Sequence, residues 1–256
     1  MLSVAIRAAR EAGGVLAERY RRPHEVTVKG LRDIVTEVDL AAEEVALRIV
    51  REGCPEGLIM SEESHSGWKS APGRPVWYVD PLDGTTNFSR GLPMFCTSVA
   101  MAVDGEVQCG AVYDPLLDHL FTATRGGGAW LNGKRLQVSP RGDLLSCIVT
   151  LDWPRRQPAR QQCANYLARV ASHVDAVRSR GSAALGLCAI AAGWADAYLQ
   201  YTLSPWDVAA GILMVQEAGG MLSDLRGRPA RLGQPDWLAT NGLIHDEMLA
   251  FRPFGD

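Results

Sequence analysis

Carboxylates recur in this sequence where an apolar strand ends or a helix begins. The segments are residues 33–39, 61–64, 80–88 and 206–207. Hard divalent cations bind carboxylates, backbone carbonyls and water, whereas softer ions take imidazole and thiolate ligands. The five histidines and six cysteines are scattered along the chain, so the pattern predicts a site for Mg²⁺ rather than Zn²⁺.

The segment around Asp80 is the most informative. Residues 76–79 are apolar and predict a strand, and Asp80 follows where that strand leaves its sheet. Pro81 fixes the backbone and Gly84 permits a tight turn, so Asp80 and Asp83 should point toward one place with the Leu82 carbonyl between them. Beyond the turn, residues 84–86 could open a helix whose free N–H groups bind an oxyanion. Taken alone, the segment is more typical of a plain surface turn than of a metal site.

Each of the other acidic positions also has a structural interpretation. Residues 204–207, Ser-Pro-Trp-Asp, match a capping box in which Asp207 caps a helix. Asp39 could cap the helix that follows it. Glu62 and Glu63 could be solvated loop acids, and for Glu63 we keep that interpretation.

The hydrophobic pattern places these acids on helices and strands. In the first half it predicts helices near 3–20 and 40–52, a loop around 29–33, and strands at 57–60, 76–79, 97–103, 107–112 and 119–124. In the second half it predicts strands near 146–151, 176–179 and 195–201 that alternate with helices near 157–172, 182–193 and 205–218. This alternation is typical of an α/β fold with helices covering sheets.

We place a soft domain boundary near residue 140. The N-terminal α+β lobe, 1–140, would carry most of the metal ligands, and the C-terminal α/β lobe, 141–256, would carry Asp207 and the substrate-side residues. Because the sequence has no flexible linker at this point, the lobes should pack as one body with a cleft between them.

Composition and charge narrow the class of protein. The chain has 256 residues, 47% of them hydrophobic and 21% charged. Its net charge of −3 and pI near 6.0 argue against nucleic acid as a general partner, and the Arg155-Arg156 doublet is interpreted as solvated surface. The cysteine pattern is typical of reduced, mostly buried thiols in a cytoplasmic protein. Residues 183–195, the longest apolar run, are too few to span a bilayer, so we expect a soluble protein with no membrane partner.

The combination of these acids outweighs their separate structural interpretations. In their order along the chain, the motifs resemble those of inositol monophosphatases, within the wider group of lithium-sensitive magnesium phosphatases. The resemblance covers nearly the whole chain and is most specific at residues 77–88 and 206–220. It implies alternating α-β-α-β-α layers, a homodimer, lithium sensitivity and hydrolysis of a small phosphate monoester.

Carried over residue by residue, the resemblance implies two Mg²⁺ ions. Glu62, Asp80 and the Leu82 carbonyl would hold the first ion. Asp80, Asp83 and Asp207 would hold the second ion. A third ion would bind more weakly, with Glu62 as its protein ligand. Two cations about 3.5–4 Å apart neutralise a phosphate dianion, lower the pKa of bound water and stabilise the departing alkoxide.

The resemblance also implies catalytic roles for three side chains. Glu62 and Thr85 would activate the attacking water, and Asp39 would orient the Thr85 hydroxyl. Lys29 begins a loop that in relatives folds over the site. Phosphoryl transfer needs mainly positioning and charge stabilisation, so we expect direct in-line attack by water without a covalent intermediate.

On the substrate side, the implied contacts are Gly84, Thr85, Ser182, Ala183, Gln200 and Asp207. Gln200 stands where well-known inositol phosphatases carry a glutamate, and glutamine brings no negative charge. Inositol 1-phosphate or a related polyol or sugar phosphate is the leading substrate. Fructose 1,6-bisphosphate, histidinol phosphate and nucleotide 3′-phosphates stay open, as does a non-catalytic interaction protein on the same fold.

Overall fold

Two β-sheets organise the chain in the computed structural model, which describes residues 1–64 and 72–252. The first sheet has seven strands in the order β3 (Leu58–Ser61), β4 (Pro75–Asp83), β5 (Cys96–Val103), β6 (Glu106–Asp114), β7 (His119–Thr124), β8 (Gly128–Leu131) and β9 (Lys134–Arg135). Strands β3 and β4 run parallel, and the later neighbours are antiparallel. Asp104 and Gly105 both have positive φ at the β5–β6 turn, as a tight hairpin requires.

The second sheet is mixed and has five strands. Their order is β11 (Ala176–Arg178), β10 (Ile148–Leu151), β12 (Ala197–Tyr201), β14 (Asp236–Thr240) and β13 (Met221–Ser223). Strand β10 is parallel to both of its neighbours, whereas β14 is antiparallel to β12 and β13. The sequence pattern predicted β10, β11 and β12 but no strand after residue 218. Strand β13 has only three residues, and β14 is buried along most of its length, so neither shows an alternation of buried and exposed side chains.

Helices cover both sheets and fill the space between them. Helices α1 (Leu2–Arg19) and α2 (Glu37–Gly53) pack on one face of the seven-stranded sheet. Helices α5 (Ala183–Ala191) and α6 (Pro205–Glu217) lie on its other face and against the second sheet, in a shared apolar core. Helices α4 (Gln157–Val170) and α7 (His245–Ala250) cover the outer face of the second sheet. The predicted layered α/β fold is confirmed, with layers in the order α-β-α-β-α.

One segment before α2 differs from the prediction. The loop expected around 29–33 is a hairpin of β1 (Val26–Gly30) and β2 (Asp33–Thr36), and α2 begins at Glu37 rather than near residue 40. All five residues of β1 are exposed, so no alternation of buried and exposed side chains marks the strand in the sequence. Arg32, with φ 59°, makes the turn.

The thiols lie in the core. All six cysteines are free and buried, which confirms the prediction of reduced core thiols. Within residues 1–64 and 72–252, every helix is either too short or too polar to cross a membrane.

Candidate metal centre and active site

Three of the predicted metal ligands meet at one point. Glu62, Asp80 and Asp207 each place a carboxylate oxygen within 4.8 Å of the other two. Glu62 follows β3, Asp80 lies near the end of β4, and Asp207 is in the first turn of α6. Since β3 and β4 are parallel neighbours, their carboxyl ends share one edge of the sheet. Helix α6 packs on a face of this sheet, which brings its first turn to the same place.

Burial makes this concentration of negative charge unfavourable without a cation. Desolvation and then the charge of Glu62 raise the pKa of Asp80 well above its ordinary value, with Asp83 and Asp207 adding to the effect. The pKa of Asp207 is also raised well above its ordinary value, by burial and then by Glu62 and Asp83. Burial likewise raises the pKa of Glu62, although the nearby cations Lys29 and Arg155 oppose the shift.

A divalent cation fits this arrangement. The donor set consists of carboxylate oxygens, the ligands that Mg²⁺ prefers, without the imidazole or thiolate that would favour Zn²⁺. The raised pKa values of Glu62, Asp80 and Asp207 also indicate a cation site. Buried like charges at this spacing repel one another unless a positive charge lies between them.

Asp83 lies beside this group but makes a different set of contacts. Its Oδ2 accepts hydrogen bonds from the Ser182 hydroxyl at 2.6 Å and the Ala184 N–H at 2.7 Å, and its Oδ1 accepts from the Ala183 N–H at 3.2 Å. Burial raises its pKa to about 6, although these hydrogen bonds oppose the shift. The structure therefore gives Asp83 a contact with the start of α5 that the sequence did not predict, and its role as a metal ligand stays a prediction.

Thr85 and Asp39 form a hydroxyl–carboxylate pair next to Asp80. The Thr85 hydroxyl lies 2.9 Å from Asp39 Oδ1 and 3.1 Å from the Leu82 carbonyl oxygen. Asp39 Oδ2 accepts hydrogen bonds from the backbone N–H and hydroxyl of Thr36, which completes a capping box at the start of α2. Asp39 thus caps its helix and contacts Thr85 at the same time.

The predicted turn after Asp80 is present. Gly84 has φ 106°, a conformation that L side chains rarely adopt, and a Cβ there would lie 2.9 Å from the Met94 carbonyl oxygen. Immediately after it, Thr85 begins the short helix α3 (Thr85–Ser89). The turn therefore depends on glycine for both its backbone angle and its close contact.

Four helices begin at this site. Asp39 and Asp207 each occupy the third position of their helix in a capping box, Ser182 caps α5, and Thr85 opens α3. Helix N-termini carry unpaired N–H groups and partial positive charge, which stabilise acidic side chains and bind oxyanions. The two capping boxes show that the structural and functional interpretations of Asp39 and Asp207 are compatible.

Glu63 differs from the prediction of a solvated loop acid. Its side chain is 4% exposed, and both carboxylate oxygens lie 2.9 Å from Lys29 Nζ. Lys29 Nζ is also 3.6 Å from Glu62 Oε1. The hairpin β1–β2 thus supplies a cation to the two acids that follow β3.

Arg155 also differs from its sequence interpretation. Its Nη1 lies 3.0 Å from Asp33 Oδ1 and its Nη2 lies 3.6 Å from Glu62 Oε1, so it is not merely solvated surface. Two adjacent arginines in a sequence do not by themselves indicate contact with buried acids. The useful signal is its place shortly after a strand of the second sheet, which the sequence pattern did predict.

Sequence reasoning missed Asp152, which follows β10 as Asp80 follows the core of β4. Its Oδ1 accepts hydrogen bonds from the backbone N–H groups of Arg180 at 2.9 Å and Gly181 at 2.5 Å, so it fixes the segment before Ser182.

Gln200 is buried on β12, where its Oε1 accepts from the Tyr201 N–H at 3.0 Å. Among the hydrogen bonds and ion pairs of the described residues, none joins Gln200 to the acidic group.

Comparison with known proteins places the whole chain in one family. The sequence model described as "Inositol monophosphatase family" matches residues 1–252. A protein named Nus factor SuhB from Escherichia coli K12 is 41% identical over 256 residues, covering 98% of this chain and 94% of that protein. The crystal structure of extragenic suppressor protein suhB from Bartonella henselae matches with a TM-score of 0.93 and 35% identity, over 99% of this chain and 98% of that one. An IMPase structure from Thermotoga maritima matches with a TM-score of 0.90 and 34% identity, over 98% and 95% of the two chains.

Proposed function

The chain belongs to the inositol monophosphatase family, and we propose that it is a phosphatase that hydrolyses a small phosphate monoester with Mg²⁺. The observation that supports this most strongly is the group formed by Glu62, Asp80 and Asp207, whose oxygens lie within 4.8 Å of one another. A structural role alone would not favour three partly or fully buried like charges at this distance.

The cofactor in this proposal is held by oxygen ligands. Glu62, Asp80 and Asp207 would bind it, and the Leu82 carbonyl and Asp83 complete the set of five that we propose for two ions. Bound Mg²⁺ supplies a water of lowered pKa and neutralises charge on the phosphate oxygens.

The proton of the attacking water has a nearby route in this proposal. The Thr85 hydroxyl donates to Asp39 Oδ1 at 2.9 Å, so its oxygen lone pairs can accept a hydrogen bond from water. Burial raises the pKa of Asp39, which makes this carboxylate a better proton acceptor than an exposed one. Thr85 would pass the proton on, with Glu62 as the second acceptor near the water.

Backbone groups and polar side chains would orient the ester. We propose that Gly84 and Thr85, at the start of α3, and Ser182 and Ala183, at the start of α5, contact the phosphate or its alcohol through helix N-termini. Gln200 and Asp207 complete the proposed substrate contacts. Inositol 1-phosphate or a related polyol or sugar phosphate is the first substrate to test, with fructose 1,6-bisphosphate, histidinol phosphate and nucleotide 3′-phosphates as alternatives.

A second candidate function is an interaction role on the same fold. It is supported by the relatives of 40–42% identity that are named Nus factor SuhB. Those names give no support to the expectation that this chain lacks a nucleic-acid partner, and that expectation stays a prediction. The homodimer, lithium sensitivity, cytoplasmic location and lobe boundary near residue 140 also stay predictions.

Phosphate release from a panel of esters, in Mg²⁺ and then in excess EDTA, tests the proposal. We expect release in Mg²⁺ that EDTA abolishes and that Asp80→Asn reduces by at least a hundredfold. The matched control is Asp175→Asn, because Asp175 is an exposed acid outside the proposed set of metal ligands. A folded protein that releases phosphate from none of the esters in ample Mg²⁺ would contradict the phosphatase proposal and favour the interaction role.

A further inference from the structure

A buried glutamate on α2 holds the segment that carries Glu62. Glu43 is 6% exposed, and its Oε1 accepts three hydrogen bonds from that segment. The donors are the Ser61 hydroxyl, the Glu63 N–H at 3.1 Å and the Ser64 N–H at 3.2 Å. Since these donors lie on both sides of Glu62 in the sequence, Glu43 fixes the chain before and after it.

The seven-stranded sheet also holds the backbone of Glu62. Its N–H donates to the Val79 carbonyl oxygen at 3.1 Å, directly after the parallel pairing of β3 with β4. The cations Lys29 and Arg155 each lie 3.6 Å from Glu62 Oε1, which is too long for a hydrogen bond. The place that the Glu62 carboxylate can reach therefore depends mainly on the backbone contacts with β4 and Glu43.

One face of α2 contacts both parts of the proposed water-activating pair. Asp39 and Glu43 are four residues apart, so their side chains are neighbours on the same face of the helix. Asp39 Oδ1 accepts from the Thr85 hydroxyl at 2.9 Å, and Glu43 holds the residues on either side of Glu62. Through this face, α2 relates the position of Thr85 to that of Glu62.

We infer that Glu43 is a positioning residue, which holds Glu62 where its carboxylate can bind Mg²⁺ and accept a proton from the attacking water. This inference rests on the proposed phosphatase function, in which Glu62 is a metal ligand. Glu43 acts through Glu62 and contacts neither the ion nor the ester. Without Glu43, the hydrogen bond to Val79 would remain, but the chain on both sides of Glu62 would be free to shift.

Three variants weaken this hold to different degrees. Glu43→Ala removes every acceptor, and Ser61→Ala removes one of the donors. Glu43→Gln keeps a neutral acceptor, whereas hydrogen bonds to an ionised acceptor are about twice as strong. Glu44→Gln is the matched control, because Glu44 is the next residue of the same helix and is exposed.

Hydrogen exchange in EDTA tests the contact in the absence of metal. The N–H groups of Glu63 and Ser64 donate to Glu43, so opening of this contact exposes them to solvent. We expect both to exchange about tenfold faster or more in Glu43→Ala than in wild type, with a smaller increase in Glu43→Gln. Glu44→Gln should exchange at the wild-type rate.

Magnesium affinity, measured by calorimetry, tests the consequence for Glu62. Residues that orient a metal ligand typically contribute about tenfold to a hundredfold to metal affinity, so we expect a loss of that size in Glu43→Ala. The loss should be partly restored in Glu43→Gln, smaller in Ser61→Ala and absent in Glu44→Gln. The KM for the ester, measured in saturating Mg²⁺, should change little because Glu43 does not contact it.

A double-mutant cycle with Glu62→Gln separates positioning from a general loss of structure. If Glu43 acts through Glu62, the substitution Glu43→Ala should weaken Mg²⁺ binding much less in the Glu62→Gln background than in wild type. A residue that only stabilised the fold would weaken binding by the same factor in both backgrounds. Should Glu43→Ala fail to fold, Glu43→Gln and Ser61→Ala take its place in each comparison.

The outcomes separate this inference from the proposed function. Wild-type Mg²⁺ affinity in the folded Glu43 variants, or an equal loss in both backgrounds of the cycle, would overturn the inference. Wild-type exchange at Glu63 and Ser64 in these variants would overturn it as well. Either result leaves the phosphatase proposal intact if the wild type releases phosphate in Mg²⁺. Absence of magnesium-dependent release from every ester would contradict the proposed function itself.

Discussion

Asp83 at the end of β4 accepts a hydrogen bond from the Ser182 hydroxyl at 2.6 Å, across 99 positions of sequence. The same carboxylate accepts from two backbone N–H groups in the first turn of α5, at 2.7 Å and 3.2 Å. A side chain predicted only as a metal ligand therefore also joins the seven-stranded sheet to the helix layer between the two sheets.

Asp83→Asn should destabilise the protein even when metal is absent. An amide NH₂ would replace one acceptor oxygen and face N–H donors, so buried hydrogen bonds at the start of α5 would be lost. We expect a loss of about 1–3 kcal/mol in the free energy of unfolding, measured by urea denaturation in EDTA. Ser182→Ala, which removes one of the three donors, should cost less. Wild-type stability for Asp83→Asn would show that the contact with α5 is not energetically important.

Asp80→Asn should have opposite effects with and without metal. In EDTA at pH 8, removing one buried carboxylate relieves repulsion from Glu62 and Asp207, so we expect the variant to be at least as stable as wild type. In Mg²⁺ at 100 times its dissociation constant, the wild type should gain about 2.7 kcal/mol. The variant should gain little. Thermal unfolding with and without Mg²⁺ measures both effects, and an equal gain for the two proteins would exclude Asp80 as a ligand.

Thr85→Ala should reduce turnover and leave metal binding largely unchanged. Its hydroxyl contacts Asp39 and the Leu82 carbonyl, and in the proposed mechanism it transfers a proton from the attacking water. We expect kcat to fall by about a hundredfold or more, while the Mg²⁺ affinity measured by calorimetry changes little. Thr85→Ser keeps the hydroxyl and should retain most of the activity. Full activity of the alanine variant would remove Thr85 from the mechanism.

Gly84→Ala should destabilise the protein more than Gly105→Ala. Both glycines have positive φ, 106° and 80°, so both substitutions carry the backbone cost, about 1 kcal/mol. At Gly84 the new Cβ would also lie 2.9 Å from the Met94 carbonyl oxygen, whereas at Gly105 nothing lies within 4 Å. We expect Gly84→Ala to lose about 1–3 kcal/mol beyond Gly105→Ala, measured by urea denaturation. Equal losses would mean that the turn at Gly84 relaxes without strain.

His245 should contribute to the pH dependence of stability. The side chain is buried, and its ring nitrogens lie 2.8 Å from the Ser223 hydroxyl and 2.9 Å from the Thr240 hydroxyl. Burial lowers its pKa below the ordinary value of 6.5. Below pH 6.5 the unfolded chain therefore binds a proton that the folded chain does not. As the pH is lowered from 6.5, the free energy of unfolding decreases until the pH falls below the pKa of His245 in the folded state.

The test compares wild type with His245→Gln in EDTA, where the contribution of the carboxylates is common to both proteins. Above pH 7 the free energy of unfolding of wild type should exceed that of the variant by a constant amount. Between pH 6.5 and 5.5 this difference should shrink, by at most about 1.4 kcal/mol per pH unit. A difference that stays constant across this range would mean that His245 titrates alike in the folded and unfolded states.

The elements that sequence reasoning found are those with a local signature. Helices α1, α2, α4, α5 and α6 have apolar runs or a periodic apolar face, and the β5–β6 hairpin has its Asp104-Gly105 turn. Strands β1 and β13 lack such a signature, because the first is exposed throughout and the second has three residues. Hydrogen bonding to β2 and to β14 defines these two strands, and their own side-chain patterns do not.

Residue types and their spacing predict the acidic group and its local turns. The Asp80–Gly84 turn and the capping box at Asp207 depend on contacts within a few residues, so residue type and spacing suffice to predict them. Asp39 was predicted as the cap of a helix that begins near residue 40, whereas it is the third residue of α2 and Thr36 is the N-cap. The sequence also determined the family, because the acids and their order along the chain resemble one set of enzymes.

Which of these groups come into contact depends on how the layers pack. Asp207 joins Glu62 and Asp80 because α6 packs on the sheet that carries them, and Arg155 reaches Glu62 because the segment after β10 lies beside the β1–β2 hairpin. These contacts join residues far apart in the chain, and their position depends on how the layers pack rather than on any short run of residues. For that reason a basic doublet looked like solvated surface in the sequence and becomes a contact of the candidate site in the fold.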